Sequence, residues 1–182
     1  LQPDNSFVRF AAEQGLTVFL VSWRNPDESC AHVTWDDYVE DGAIKALEVA
    51  HEVSGADEIN ALGWCVGGTI LSTALALMRS RGDDRVASLT LLTTMLDFRD
   101  PGDLGVFIDE EGVRSRESSI GQGGIYPGSE LGFVFQTLRA NDLIWPNVIN
   151  NYLKGKSPEA FDLLYWNADA TNLPGPMYAW YL

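Results

Sequence analysis

The feature that most constrains this chain is a cysteine between two glycines, placed where a predicted strand meets a predicted helix. Residues 59–64 have the apolar pattern of a buried strand, and residues 67–81 form a helix that is apolar almost all round. The turn between them is Gly63-Trp64-Cys65-Val66-Gly67. A side chain two residues to either side of Cys65 is expected to crowd so sharp a turn, and Gly68 adds room for the helix to pack against the strand.

The order of elements around this turn predicts an α/β fold with a parallel sheet. An apolar run at 17–23 is typical of a first strand, and another at 86–96 is typical of a third. Between the first two strands, apolar residues recur with a helical period from a capping Thr34 to a closing Gly55. Strands that alternate with helices are joined by right-handed crossovers.

The composition changes after Asp97. Residues 99–132 are rich in glycine, proline, serine and acidic side chains, and the segment from 133 onward is rich in aromatics. We interpret 1–98 as a partial core with the nucleophile turn, 99–170 as a cap or lid inserted after the third strand, and 171–182 as the start of the return to the core. The alternative is a linker followed by a second small domain.

Charge and composition exclude several classes of protein. The formal net charge of −14 argues against nucleic acid binding, which needs a basic face. Two cysteines make no disulfide framework, so a reducing cytoplasm is expected. No apolar run reaches the roughly 18 residues of a membrane span. The first residues do not form a signal peptide, and the chain is expected to be an internal fragment of a longer product.

Cys65 is the predicted nucleophile of an acyl-transfer site. The spacing is that of the nucleophile elbow G-x-S-x-G of α/β hydrolases, with cysteine in place of serine. The following helix favours a thiolate, and the backbone N–H of Val66 is expected to face the developing oxyanion. A thiol that attacks a thioester makes another thioester, which suits acyl transfer from coenzyme A better than peptide hydrolysis. The alternative is a buried structural cysteine flanked by packing glycines.

The residues that would activate this thiol are harder to find. The chain has two histidines, His32 and His51, and both precede the nucleophile, whereas α/β hydrolases place the histidine far after it. A structural or surface role is the better interpretation of both. Asp97, after the third predicted strand, is a weak candidate for the acid, and a loop anchor is the better interpretation. Cys30 and His32 are too few for a metal site.

The sequence resembles the class I polyhydroxyalkanoate synthases over nearly its whole length. The matching segments are 17–27, 34–38, 63–69, 91–94, 141–145, 152–155, 161–167 and 172–175. The resemblance implies an α/β-hydrolase fold with a partial sheet and a cap. It also implies an acyltransferase that polymerises (R)-3-hydroxyacyl-CoA, with 3-hydroxybutyryl-CoA as the expected monomer, through a thioester on Cys65 with release of coenzyme A. No cofactor is expected, because the coenzyme A thioester is the substrate.

The resemblance also implies what this chain lacks. The family's base histidine and its aspartate partner are expected after residue 182. A strand with the second oxyanion donor is expected before residue 1, and it would lie between 17–23 and 59–64 in the sheet. The isolated chain is therefore expected to be inactive and unstable. The whole protein is expected to be a cytoplasmic homodimer at the polyester granule surface, with dimer contacts through the cap.

Two alternatives to a polyester synthase stay open. The first is a cysteine-dependent α/β hydrolase such as a thioesterase or a dienelactone-type hydrolase. The second is a non-catalytic granule-associated protein that kept the fold.

Overall fold

The computed structural model describes residues 4–158 and 169–182. The chain forms two compact units. Unit 1 comprises Leu1–Arg24 and Asp36–Leu96, and unit 2 comprises Asn25–Trp35 and Asp97–Leu182. The matching segment 161–167 and the first three residues lie outside the described ranges. Within those ranges, no helix is both long enough and apolar enough to cross a membrane.

Unit 1 is built on two parallel strands with a helix between them. Strand β1 spans Ile59–Trp64 and pairs with β2, Val86–Leu92, in a register that places Trp64 opposite Leu92. The long helix α4, the fourth α-helix in chain order, spans Val66–Ser80 and connects the two strands. The prediction of a parallel strand–helix–strand unit around Cys65 is confirmed.

Most of the helical residues that precede β1 in the chain also belong to unit 1. Helix α1 spans Phe7–Glu13, and a continuous helical stretch comprises α2 (Trp35–Asp37), a π-helical segment (Tyr38–Ile44) and α3 (Lys45–Ser54). The stretch ends at Ser54, and Gly55 caps it with a φ of 62°, the left-handed cap that the sequence predicted. Its inward side chains pack with those of α4 and form the core of unit 1: Val39, Ile44, Leu47, Ile70, Leu71, Ala74 and Met78.

One strand prediction is wrong in this unit, and another extends too far. Residues 17–23 form no strand, and they are largely exposed, with Leu20 62% accessible. An apolar run becomes a strand only beside a hydrogen-bonded neighbour, and neither β1 nor β2 pairs with this one. The strand predicted over 86–96 is β2, and it stops at Leu92. Thr93 takes a φ of 48°, which an extended strand does not allow.

Unit 2 is mainly helical. Strands β3 (Ile125–Tyr126) and β4 (Leu173–Pro174) form a short antiparallel pair. The helical elements are 3₁₀ turns at Glu28–Cys30 and Gly102–Phe107, α5 (Glu110–Ile120), α6 (Gly128–Leu138), α7 (Ala140–Leu143), α8 (Trp145–Asn147), a π-helical segment at Val148–Leu153, and α9 (Gly175–Tyr181). The interpretation of 99–170 as a cap stays a prediction.

A pair of asparagines joins distant parts of unit 2. The Asn172 backbone N–H donates to Asn25 Oδ1 at 2.8 Å, and Asn172 Nδ2 donates to the Pro26 carbonyl at 3.1 Å. Asn172 Oδ1 also accepts from the Gly128 N–H at 3.0 Å. Trp35 is 3% accessible and stacks on Tyr181 at 5.3 Å between ring centroids. These contacts explain why 25–35 is part of unit 2.

Candidate active site

Cys65 occupies a strained position between β1 and α4. Its φ is 51° and its ψ is −129°, a conformation that side chains disfavour and that glycine adopts most easily. The Cys65 N–H donates to the Leu92 carbonyl, and the Gly68 N–H donates to the Cys65 carbonyl, both at 2.9 Å. These two bonds hold the turn, and the Cys65 side chain is exposed.

The glycines around Cys65 do not all have the role that the sequence suggested. A Cβ on Gly63 would lie 2.9 Å from the Gly68 nitrogen, so the expected crowding is confirmed there. A Cβ on Gly68 would lie 2.9 Å from Thr94 Cβ, so this residue also allows a close approach. A Cβ on Gly67 would have no neighbour within 4 Å apart from the adjacent residues and the backbone of its own helix. The expectation for Gly67 is wrong, because the turn presses Gly68, and not Gly67, against the strand.

The first turn of α4 begins immediately after Cys65. Val66 is the first helical residue, so its N–H has no acceptor within the helix. The 15-residue helix places its positive dipole end at this turn. Val66 as a whole residue is 37% accessible. This geometry favours an anion beside Cys65, and the oxyanion role of Val66 stays a prediction.

Thr93 is a residue of this site that the sequence reasoning missed. Its Oγ1 lies 3.1 Å from Cys65 Sγ, within hydrogen-bond reach of sulfur. The strand register explains the contact: Trp64 is opposite Leu92, so the next residue on each strand leaves the sheet at the same edge. The signal in the sequence was the pair of threonines, Thr93 and Thr94, inside the third apolar run.

The other candidates have structural contacts of their own. His51 Nε2 lies 3.3 Å from the Asp57 carbonyl beyond the end of α3, and His32 lies in an exposed turn of unit 2. Asp97 accepts a hydrogen bond from the Arg99 N–H at 3.1 Å and others from its guanidinium. The guanidinium hydrogen bond holds the pKa of the Asp97 carboxyl below its usual value. This arrangement fits the interpretation of Asp97 as a loop anchor.

A parallel sheet, a strained turn at Cys65 and a helix that begins directly after it are the local arrangement expected of an α/β-hydrolase fold. A family model described as the alpha/beta hydrolase fold matches residues 3–182. The chain therefore belongs to the α/β-hydrolase fold family.

Among its relatives, the chain is similar over its whole length to poly(3-hydroxyalkanoate) polymerases. It is 60% identical to the polymerase subunit PhaC of Cupriavidus necator, with 100% of this chain and 32% of that protein aligned. It is 46% identical to PhaC of Rhizobium meliloti, with 100% and 30% aligned. It is 38% identical to polymerase 2 of Ectopseudomonas oleovorans, with 98% and 32% aligned. The chain thus spans about a third of the length of these relatives.

Proposed function

We propose that the protein containing this chain is an acyltransferase that polymerises (R)-3-hydroxyacyl-CoA, with 3-hydroxybutyryl-CoA as the expected monomer. The observation that carries the proposal is Cys65 at a φ of 51° between a parallel strand and the N-terminus of α4. The names of the relatives support the polyester product, since they are called poly(3-hydroxyalkanoate) polymerases. The proposal extends to a homodimer at the surface of a cytoplasmic polyester granule.

The proposed chemistry begins with the thiolate of Cys65. Its sulfur attacks the thioester carbonyl carbon of the acyl-CoA, a new carbon–sulfur bond forms, and the carbonyl oxygen becomes an oxyanion. The N–H of Val66 donates to that oxygen. The intermediate collapses by breaking the bond to coenzyme A, whose thiolate takes up a proton as it leaves. The acyl group is then a thioester of Cys65.

The second half-reaction transfers the acyl group to an alcohol. The hydroxyl oxygen of an acceptor attacks the Cys65 thioester carbonyl and loses its proton to a base. An oxygen ester forms, and the sulfur leaves as the restored thiolate. The base histidine, its aspartate partner and a second oxyanion donor are proposed to come from other parts of the full-length protein. An aromatic-rich cap would keep water from the thioester.

A cysteine-dependent hydrolase is the second candidate, because the exposed side chain of Cys65 is accessible to water. Here water, and not an alcohol, attacks the Cys65 thioester. Product analysis of the full-length protein separates the two: insoluble polyester supports the synthase, and free 3-hydroxybutyrate supports the hydrolase.

The role of Cys65 is tested by substitution in the full-length protein. Cys65→Ala removes the sulfur, so release of coenzyme A from 3-hydroxybutyryl-CoA is expected to fall to background. Cys30→Ser is the matched control, since Cys30 lies in the 3₁₀ turn of unit 2, and it should keep the wild-type rate. Turnover by Cys65→Ala would refute the proposed role of Cys65 as the nucleophile. Loss of polyester in both variants would point to a general effect of removing a cysteine.

A further inference from the structure

We propose that Thr93 is a positioning residue. Its hydroxyl hydrogen turns from the Leu92 carbonyl to the Cys65 sulfur and holds the thiolate in place for attack. The inference rests on the proposed function, because it assigns a hydrogen-bond donor to that nucleophile. Three features of unit 1 motivate it. The Leu92 carbonyl accepts from three donors, the Cys65 sulfur is within hydrogen-bond reach of Thr93, and the backbone is strained at both Cys65 and Thr93.

The Leu92 carbonyl receives more donors than it needs. The Cys65 N–H donates to it at 2.9 Å, Thr93 Oγ1 at 2.8 Å and Thr94 Oγ1 at 3.2 Å. A carbonyl oxygen has two lone pairs, so three donors share two acceptor sites. If the Thr93 hydroxyl turns away, the other two donors still satisfy the oxygen. The hydroxyl hydrogen can therefore move without leaving a polar group unpaired.

The other acceptor in reach of this hydroxyl is Cys65 Sγ, at 3.1 Å from Thr93 Oγ1. A neutral thiol is a weak acceptor, so in that state the hydroxyl donates to Leu92. A thiolate is charged, and hydrogen bonds to charged groups are markedly stronger than neutral ones. Formation of the thiolate therefore draws the Thr93 hydrogen to the sulfur. When the sulfur becomes a thioester, it is a weak acceptor again, and the hydrogen returns to Leu92.

The backbone supports this assignment. Among the described residues other than glycine, positive φ values occur at Cys65 and Thr93, at 51° and 48°. For a β-branched threonine this conformation is a pronounced outlier. Such strain persists where the surrounding structure over-determines it, and it clusters at functional sites. Glycine or asparagine would adopt this φ more easily at position 93, but neither carries a hydroxyl to place beside the sulfur.

The test compares Cys65 reactivity in the full-length protein and three variants. Thr93→Val removes the hydroxyl but keeps the β-branched shape, Thr93→Ser keeps the hydroxyl, and Thr90→Val is a matched control on β2. Iodoacetamide alkylation is measured from about pH 6 to about pH 10, with the Cys65 peptide followed by mass spectrometry so that other cysteines do not interfere. This readout needs no acyl-CoA substrate.

Thr93→Val is expected to slow alkylation of Cys65 about tenfold near neutral pH, the worth of one hydrogen bond to a charged group. Its rate should converge with the wild-type rate at the alkaline end, where the thiolate forms without help. Thr93→Ser and Thr90→Val should follow the wild type. An unchanged Thr93→Val profile, a slowing by the same factor at every pH, or an equal effect of Thr90→Val would overturn the inference.

This outcome is separate from that of the proposed function. If Cys65→Ala retains release of coenzyme A, the acyltransfer proposal fails, whatever alkylation shows for Thr93. If Cys65→Ala is inactive and the Thr93→Val profile is unchanged, the inference alone fails. A further readout is the first turnover with 3-hydroxybutyryl-CoA, which Thr93→Val should slow and Thr93→Ser should restore.

Discussion

The Cys65 turn of unit 1 and the β3–β4 region of unit 2 place backbone strain on different residues. In unit 2, the positive φ values among the described residues fall on glycines, including Gly123 at 149° and Gly124 at 126°. In unit 1, positive φ occurs at some glycines but also at Cys65 and Thr93. Glycine would relieve the strain but would remove the side chain. The turn in unit 1 therefore places side chains at strained backbone positions, whereas the turn in unit 2 uses glycines, which adopt such φ values at little cost.

The two regions are alike in their close backbone contacts. A Cβ on Gly63 would meet the backbone of Gly68 in unit 1. In unit 2, a Cβ on Gly175 would lie 2.9 Å from the Ile120 carbonyl carbon, and one on Gly128 would lie 2.8 Å from the Thr171 nitrogen. These contacts are with backbone, which cannot move aside as a flexible side chain can. Replacing these glycines by alanine should therefore lower the stability of both units.

The largest expected effect on stability is at Gly175. Gly175→Ala should destabilise the full-length protein by about 3 kcal/mol, because the new methyl group overlaps the end of α5. Gly132→Ala is the control within unit 2, since nothing lies within 4 Å of its built Cβ and alanine favours α6. Chemical denaturation measures both. Equal midpoints for the two variants would mean that α9 is not held tightly against α5.

The next effect separates Gly63 and Gly67, the two glycines on either side of Cys65. Gly63→Ala should cost about 2 kcal/mol because its Cβ meets the Gly68 backbone. Gly67→Ala should leave the free energy of unfolding unchanged or raise it by up to about 1 kcal/mol, because it lies in a helix with open space around it. The same denaturation measurement applies. If Gly67→Ala proved as harmful as Gly63→Ala, the expectation from the sequence pattern would be right and the geometry wrong.

The smallest effect concerns strain itself. Cys65→Gly should be more stable than Cys65→Ala by about 1 kcal/mol, because glycine adopts a φ of 51° at little cost. Both variants should be inactive. In unit 2, Gly124→Ala should be less stable than the wild type, because alanine adopts a φ of 126° only with strain. Differential scanning calorimetry of the three variants checks the signs. If Cys65→Gly were no more stable than Cys65→Ala, the turn would store no strain that glycine can relieve.

Local patterns in the sequence predicted the elements that depend on local chemistry. The apolar period and Gly55 predicted the helical stretch that ends at Ser54, although not its π-helical segment. The glycine-flanked cysteine predicted the turn from β1 to α4. These features depend on helix periodicity, capping and backbone conformation within a few residues of each other.

What the sequence could not predict depends on neighbours distant in the chain. The run 17–23 is as apolar as β1, but hydrophobicity does not say which strand will pair with it. The Thr93 contact with Cys65 needs the register of β1 on β2, which joins residues 28 positions apart. The asparagine contacts between Asn25 and Asn172 join residues even further apart. Each of these follows from tertiary structure and leaves no periodic trace in the sequence.

In the proposed mechanism, Cys65 carries the acyl group as a thioester. The most direct measurement is to mix the full-length protein with 3-hydroxybutyryl-CoA, quench it in acid within the first turnover, and locate the acyl adduct by peptide mass spectrometry. We expect a 3-hydroxybutyryl adduct on Cys65 that is absent in Cys65→Ala and is released by hydroxylamine. Coenzyme A release with the adduct on another residue, or with no adduct on Cys65 at any time, would contradict it.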